Sequence, residues 1–369
     1  MRDREGNREH LQGFFSTLLG VESPGMRRFL VASGFLTALT LGLVPASGPL
    51  ASAAEPSGPA LATPADVLEA ALSCPPAFSD AAREPLLLVH GTYTRADENW
   101  GWNYARILPE QGWDVCTVDL PDRSMGDIQV QAEYVVHAVR RITALTGEQV
   151  DVMGHSQGGL QPRWAVKWWP DVRAAVDDLV MLGTPNHGTA PAQGVGLFGR
   201  CHPSCWQMAP GSAFLEALNR DDETPGDVSY TSVYSLNDEL VQPAYPEATA
   251  ALDGASNVLM QELCPGRPVE HVQLVGDAAV AAVVLDALTG AGPFNRSRFT
   301  ISACAGTWFA DGDADLFLRL AREFRLPPNQ WNTTAEPELA CYAQPTGCAG
   351  ASGRAVGGRG LDHRPGRHP

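Results

Sequence analysis

The chain has 369 residues, of which 44% are hydrophobic, enough for one large or two ordinary domains with a substantial core. Its formal net charge at neutral pH is −16. Nucleic-acid binding needs a basic surface, so this acidic balance argues against a nucleic-acid partner.

The first feature along the chain is a predicted secretory signal peptide over residues 1–54. Arg27 and Arg28 precede an apolar run over residues 29–44, and small residues follow it as far as Ala54. A basic segment, an apolar core and a small-residue cleavage site are typical of a signal peptide. The alternative is a membrane anchor, but the core is short and broken by glycine and proline. We therefore expect the protein to be secreted and extracellular.

The remaining boundaries follow from composition. Met26 lies directly before the basic pair, so residues 1–25 are either an over-extended start or a long basic segment. Residues 55–62 are rich in Pro, Ala and Ser and are predicted to be a linker. We expect one folded domain over residues 63–350. Residues 351–369 are rich in Gly, Arg and His without apolar periodicity, which predicts a disordered tail.

The folded region predicts alternating helices and strands. Thr63 is a candidate N-cap for a first helix, with Pro64 at its first position. Apolar, β-branched runs then predict strands over residues 85–92, 113–120, 150–154, 176–182 and 230–236. Helical periodicity between them favours an α/β fold with a mostly parallel central sheet flanked by helices. Active groups of such folds gather at the carboxyl ends of the strands.

The most informative motif is Gly154-His-Ser156-Gln-Gly158, directly after an apolar strand. This is the pattern of a nucleophile elbow, in which a serine occupies a cramped strand-to-helix turn. A Cβ at either glycine would clash with the neighbouring backbone. The pentapeptide alone matches by chance too often to be decisive, but apolar residues follow it at helical spacing, namely Leu160, Trp164 and Trp168.

A serine nucleophile needs a base, and the base needs an acid that fixes its tautomer. On this fold their chain order is serine, acid, histidine. His271 alone follows a plausible acid outside the tail, although a purely structural histidine is the alternative. Asp238 lies directly after the strand over residues 230–236, whereas the side chain of Glu239 should point the other way. Three other aspartates of this region lie in a polar loop, namely Asp221, Asp222 and Asp227.

An oxyanion hole requires preorganised N–H donors. One candidate is the amide of Gln157, at the head of the helix after the serine. The other should come from the loop after the first long strand, where Thr92 could add its hydroxyl to its amide. The alternative is that this loop is an ordinary turn.

These residues together resemble the Candida-type lipase B family of α/β-hydrolases and its secreted actinobacterial relatives. The resemblance runs from about residue 68 to 304. It rests on four segments, at residues 86–92, 156–160, 206–220 and 234–243. It implies a triad of Ser156, Asp238 and His271, with Thr92 and Gln157 in the oxyanion hole.

All eight cysteines follow the signal region, and an even number in an exported chain indicates disulfides. The spacing itself leaves every pairing open and does not favour a zinc site. The resemblance implies three pairs, Cys74–Cys116, Cys264–Cys304 and Cys341–Cys348. A short Cys201–Cys205 bridge would be an addition without a family counterpart.

Three departures from the family pattern stand out. His90 replaces the small or proline residue that often precedes the oxyanion glycine. Asn186 stands where the lipase carries an acid, which puts a protonated carboxyl there in doubt. The C-terminal region is shorter, so a helix predicted over residues 311–326 could shape the acyl pocket differently. Residues 191–205 are a candidate lid, with an ordinary crossover loop as the alternative.

The leading hypothesis is a secreted lipase or carboxylesterase that cleaves esters such as acylglycerols through an acyl-enzyme on Ser156. A secreted acyltransferase or polyester depolymerase would use the same triad, and a catalytically silent binding protein is the third reading. The sequence contains no metal-ligand cluster or nucleotide fingerprint, so no cofactor is expected. The expected partners are a lipid or other ester substrate and, transiently, a lipid–water interface. We expect a monomer.

Overall fold

The computed structural model describes residues 57–79, 83–196, 199–309, 311–323 and 333–347. The predicted signal region and tail lie outside the described residues.

The centre of the structure is a seven-stranded sheet. Every pair of neighbouring strands is parallel except β1 and β3, which are antiparallel. The spatial order is β1-β3-β2-β4-β5-β6-β7. The strands are β1 (Leu72–Ser73), β2 (Leu86–Val89), β3 (Val115–Val118), β4 (Val150–His155), β5 (Val176–Leu182), β6 (Ser229–Tyr234) and β7 (Ser256–Leu259).

Helices connect these strands and cover both faces of the sheet. They are α1 (Ala65–Ala71), α2 (Ala96–Trp100), α3 (Tyr104–Glu110), α4 (Ile128–Thr146), α5 (Leu160–Trp168), α6 (Pro170–Ala175), α7 (Ala190–Gly196), α8 (Pro203–Gln207), α9 (Ala213–Asn219), α10 (Met260–Leu263), α11 (Ala278–Thr289) and α12 (Ala314–Glu323). None of the helices in the described ranges is both long and apolar enough to cross a membrane.

The sheet separates two apolar clusters, and β2 shows why its sequence is continuously apolar. Leu87 and Val89 pack into one cluster with α4 and α5, whereas Leu86 and Leu88 pack into the other with α11. Alternate side chains of a strand face opposite sides of the sheet, so a strand covered on both faces is apolar at nearly every position. All four residues are fully buried.

The start of the domain differs from the sequence prediction. The first helix begins at Ala65, and Thr63 does not cap it with its side chain. The backbone amide of Thr63 instead donates to a carboxylate oxygen of Glu133 at 2.7 Å, and that of Ala62 donates to the other at 3.0 Å. The described part of the predicted linker is also held in place, because the Trp169 indole donates to the carbonyl of Pro59 at 2.8 Å.

Three of the four expected disulfides are present in the structure. They are Cys74–Cys116, Cys201–Cys205 and Cys264–Cys304, with Cα–Cα distances of 4.2, 5.9 and 5.6 Å. The fourth expected pair includes Cys348, which lies outside the described residues. Cys201, His202 and Cys205 lie close together, but the two sulfurs are bonded to each other and are not free thiolates for a metal.

Candidate active site

The residues singled out in the sequence come together at one edge of the sheet. Ser156 follows β4, the Gly91–Thr92 segment follows β2, and Asp238 follows β6. These strands are parallel, so their carboxyl ends meet at the same edge. His271 directly precedes the short helical turn over Val272–Val275, ahead of α11, and its ring contacts Asp238 at the same side of the sheet.

Ser156 occupies a strained turn between β4 and α5. Its φ is +56°, in the left-handed region that ordinary residues rarely adopt. A Cβ at Gly154 would lie 2.2 Å from the carbonyl oxygen of Gly158, and one at Gly158 would lie 2.4 Å from that of Val89. The two glycines therefore permit a close passage that places Ser156 above the strand, where it is partly exposed.

Asp238 and His271 form a buried pair. Oδ2 of Asp238 lies 2.7 Å from Nδ1 of His271, and the two side chains are 1% and 3% exposed. The other carboxylate oxygen accepts the backbone amides of Leu240 at 2.9 Å and Val241 at 2.8 Å. With its Nδ1 proton held by the carboxylate, the His271 ring has Nε2 available as a base.

The competing acid Glu239 has a different contact. Its Oε2 accepts the backbone amide of His271 at 3.2 Å. It therefore helps to hold the loop that carries the histidine, while its neighbour Asp238 contacts the ring. This arrangement agrees with the expectation that the two adjacent side chains point in different directions.

His155 links the serine turn to the histidine loop, and sequence reasoning gave it no role. Its ring nitrogens lie 3.0 Å from Oδ1 of Asn99 and 3.2 Å from the carbonyl oxygen of His271. Burial lowers the pKa of His155 to about 3, so its ring is neutral at physiological pH. A neutral ring places no positive charge beside His271, whose ring centroid is 5.0 Å away.

The loop after β2 is held by His90, the residue that departs from the family pattern. The amide of Leu120 donates to Nε2 of His90 at 2.9 Å, so the ring proton is on Nδ1 and is donated to the carbonyl of Gly91 at 2.9 Å. Burial lowers the pKa of His90, which keeps this donor–acceptor arrangement intact. The hydroxyl of Thr94 also donates to the Gly91 carbonyl, at 3.0 Å.

The side chains of the two expected oxyanion residues contact each other. The hydroxyl of Thr92 donates to Oε1 of Gln157 at 2.5 Å. The side-chain nitrogen of Gln157, Nε2, donates to the carbonyl of Ser124 at 2.8 Å and to Oε1 of Gln131 at 2.9 Å. Among the described residues, neither backbone N–H of Thr92 and Gln157 donates to a protein acceptor. Both amides therefore remain available for an anion beside Ser156.

Asn186, at the position where the resemblance implies an acid, is engaged in the interior. Its amide nitrogen donates to the carbonyl of Ala250 at 2.7 Å, and its oxygen accepts from the guanidinium of Arg163 at 3.3 Å. Asn186 is fully buried and Arg163 is 1% exposed. These contacts give Asn186 a structural explanation that requires no protonated carboxyl.

The predicted rim segments are partly helical. The candidate lid contains α7 and α8 with the Cys201–Cys205 bridge. In α12, an apolar side packs on the core cluster that contains Trp102. Three exposed apolar side chains lie close in sequence to the candidate triad residues, and these are Leu236, Leu240 and Val272, at 42%, 47% and 45% exposure.

Known proteins resemble this chain over most of the described region. A family model described as Lipase (class 2) matches residues 83–281. Lipase B of Pseudozyma antarctica is 33% identical over 215 residues, which are 57% of this chain and 63% of that protein. The crystal structure of Aspergillus fumigatus lipase B matches with a TM-score of 0.70 at 29% identity, covering 78% of this chain and 74% of that chain. The match to the curated relative thus spans less than two thirds of that protein's length.

Proposed function

Because the chain belongs to the class 2 lipase family and has the α/β-hydrolase fold predicted from its sequence, we propose that it hydrolyses carboxylic esters such as acylglycerols. The observation that carries the proposal is the buried Asp238–His271 pair, at 2.7 Å, on the same sheet edge as the strained Ser156. The substrate class is that of a lipase or carboxylesterase.

The reaction proceeds through an acyl-enzyme. Nε2 of His271 accepts the proton of the Ser156 hydroxyl while Oγ attacks the ester carbonyl. Asp238 stabilises the imidazolium that forms, and the negative oxygen of the tetrahedral intermediate accepts the backbone N–H groups of Thr92 and Gln157. His271 then protonates the leaving alcohol. In the second half of the reaction His271 accepts a proton from water as the water attacks the acyl group, and it returns that proton to Oγ of Ser156 as the carboxylic acid leaves.

The surroundings of the triad support an apolar substrate. Leu240 lies two residues after Asp238, Val272 directly follows His271, and both are close to half exposed. Exposed apolar side chains next to catalytic candidates favour apolar acyl groups and transient contact with a lipid–water interface. We propose that the enzyme acts there as a monomer, which sedimentation at assay concentrations tests.

The disulfides support a secreted location. Three bonds in the described residues are expected in an oxidising compartment and not in a reducing cytosol. The measurement is the distribution of the protein between culture medium and cells, with the mature N-terminus determined by mass spectrometry. Retention of the full-length protein in the cells would contradict secretion.

The activity test is a chain-length series of ester substrates, both soluble and emulsified, with the wild type and Ser156→Ala. We expect hydrolysis by the wild type and a loss on the order of 10⁴-fold in the variant. Ser297→Ala is a matched control, because this serine is exposed and lies in the loop after α11, outside the candidate site. An acyltransferase would instead transfer acyl groups to an added alcohol faster than to water, and a binding protein would show no Ser156-dependent turnover.

A further inference from the structure

Three aspartates form a cluster at the amino-terminal ends of two central strands, whereas Ser156 lies at the carboxyl ends. Asp151 is the second residue of β4, and Asp177 and Asp178 are the second and third residues of β5. One carboxylate oxygen from each lies within 4.8 Å of the others. Ser156 directly follows β4 and is five residues further along the chain than Asp151, which corresponds to roughly 16 Å of extended strand.

An irregularity in the strand pairing explains why adjacent aspartates share this position. Val150 pairs with Val176 and Val152 pairs with Leu179, so two residues of β5 oppose Asp151 alone. This is the arrangement of a β-bulge, which re-aims side chains that would otherwise alternate across the sheet. The bulge therefore brings both carboxylates of β5 towards the carboxylate of β4.

Two carboxylate oxygens of the cluster are buried without a partner. Asp151 is 1% exposed, and its Oδ1 accepts the amide of Asp178 at 3.3 Å while its Oδ2 has no hydrogen-bond partner. Asp178 is 4% exposed, and its Oδ1 likewise has no partner. Burying a carboxylate without a partner or a counter-charge is costly, so these oxygens favour a cationic ligand.

Among the described residues, the charges that act on the cluster are mostly negative. Glu84 acts on all three aspartates as a further negative group. The cation that acts on Asp178 is Arg298, whose guanidinium is bound to Asp286 at 2.7 Å. Burial, with repulsion between the carboxylates, raises the pKa of Asp151 to about 9 and that of Asp178 to about 8.

We propose that Asp151, Asp177 and Asp178 form a calcium site that fastens β4 to β5 at this edge of the sheet. A set of carboxylate oxygens without nitrogen or sulfur donors suits a hard divalent cation, and Ca²⁺ accepts irregular oxygen coordination completed by water. Asp177 and Glu84 are partly exposed and give the ion a route from solvent. The site is remote from Ser156, so the ion stabilises the fold and takes no part in ester hydrolysis.

The test measures the unfolding temperature, Tm, of the full chain. Divalent cations are first removed with a chelator, and Tm is then measured at increasing concentrations of CaCl₂. At a Ca²⁺ concentration about 100 times the Kd, we expect Tm to rise by about 5 °C or more.

Asp177→Asn should abolish most of this rise, and its partly exposed position favours retention of the fold. Asp151→Asn/Asp178→Asn should be insensitive to Ca²⁺ and at least as stable as the chelated wild type, because neutral amides relieve the repulsion. Glu148→Gln, which removes one exposed carboxylate near the start of β4, should respond like the wild type.

Controls for ionic strength make the result decisive. NaCl at matched ionic strength should leave Tm unchanged, and Mg²⁺ should act more weakly because it demands stricter octahedral geometry. An equal response to NaCl, or an equal Ca²⁺ response in Asp177→Asn, would overturn the proposal. A chelated wild type that is unaffected by Ca²⁺ would show that the carboxyls share protons instead of binding a cation.

Discussion

The hydroxyl of Thr92 donates to Oε1 of Gln157 across 2.5 Å. This bond joins the side chains of the two residues whose backbone amides are expected to stabilise the oxyanion. The Gln157 side chain is itself fixed by Ser124 and Gln131, so its oxygen stays in place as an acceptor. The Thr92 proton must therefore turn away from Gln157 before the hydroxyl can act as a third donor to the substrate.

Thr92→Val tests whether this happens during catalysis. Valine keeps the shape and the backbone N–H but removes the hydroxyl. We expect kcat to fall by on the order of 10- to 10³-fold with little change in KM, because the hydrogen bond strengthens only as negative charge develops. Steady-state kinetics on short-chain soluble esters is the measurement, and Thr92→Ser should restore most of the activity.

Stability measurements separate catalysis from packing in these variants. Thr92→Val leaves the buried Oε1 of Gln157 without its donor, which costs roughly 1–3 kcal/mol of folding stability. A variant that is less stable but turns over short-chain esters at the wild-type rate would show that the hydroxyl only positions Gln157. The oxyanion hole would then rest on backbone amides alone.

Ser156 is predicted to be the covalent nucleophile. Ser156→Ala should lower kcat by on the order of 10⁴-fold or more, with the fold retained, since alanine meets the same backbone requirement as serine at this turn. An alkyl phosphonate probe followed by peptide mass spectrometry should label Ser156 in the wild type. Labelling of a different serine would remove the assignment.

His271 and Ser156 should behave as one catalytic unit. Because the serine is activated only through the histidine, His271→Ala should cost about as much activity as Ser156→Ala, and the double variant should lose little more. Initial rates of the three variants, normalised by active-protein concentration, provide the test. Losses that multiply in the double variant would mean that at least one of the two residues has another role.

The central strands and the catalytic candidates were accessible from the sequence for a common reason. Strands buried on both faces are apolar over most of their length, so β2 is visible as a continuous apolar run, and β4 and β5 as apolar runs with aspartates near their amino-terminal ends. The edge strands β1 and β7 were not predicted, because they are short and half-buried and pair on one side only. Their sequences carry neither a continuous apolar run nor a clear alternation.

The residues that support the site could not be predicted, because their contacts join distant segments. Gln131 lies on α4 and contacts Gln157 across 26 residues, and Asn99 contacts His155 across 56. Polar residues on helices are usually solvated, so nothing in the local pattern distinguishes a buried Gln131. Glu133 similarly reads as a surface charge until the structure shows it binding the amides that precede α1.

The disulfide between Cys74 and Cys116 should contribute substantially to stability. It closes a loop of 42 residues in sequence separation, which corresponds to about 4 kcal/mol in the chain-entropy description. Cys74→Ala/Cys116→Ala should therefore lower the free energy of unfolding by an amount of that order in urea titrations. An unchanged unfolding midpoint would contradict this expectation. Thiol titration of the denatured, unreduced wild type should detect no reactive cysteine.

Buried neutral histidines should make the fold sensitive to mild acid. Burial lowers the pKa of His202 to about 4 and that of His155 to about 3, whereas an unfolded histidine titrates near 6.5. Between these values the unfolded chain binds protons that the folded chain does not. The free energy of unfolding should therefore fall as the pH decreases below 6.5, by up to about 1.4 kcal/mol per pH unit for each histidine.

His202→Gln isolates one of these contributions, because the difference between variant and wild type cancels the other titrating groups. The variant is less stable at pH 7.5, since Nδ1 of His202 accepts the amide of Cys205 at 3.1 Å, but its stability should fall less steeply between pH 6.5 and 4.5.

His187 gives the opposite sign, because its hydrogen bond to Glu223 raises its pKa. Its contribution is fully present below pH 6.5 and is lost as the pH rises through its folded value, so His187→Gln should lower stability mainly at acid pH. Urea unfolding at four pH values from 4.5 to 7.5 measures both slopes, and parallel curves for His202→Gln and the wild type would show that His202 takes up its proton at the same pH in the folded and unfolded chains.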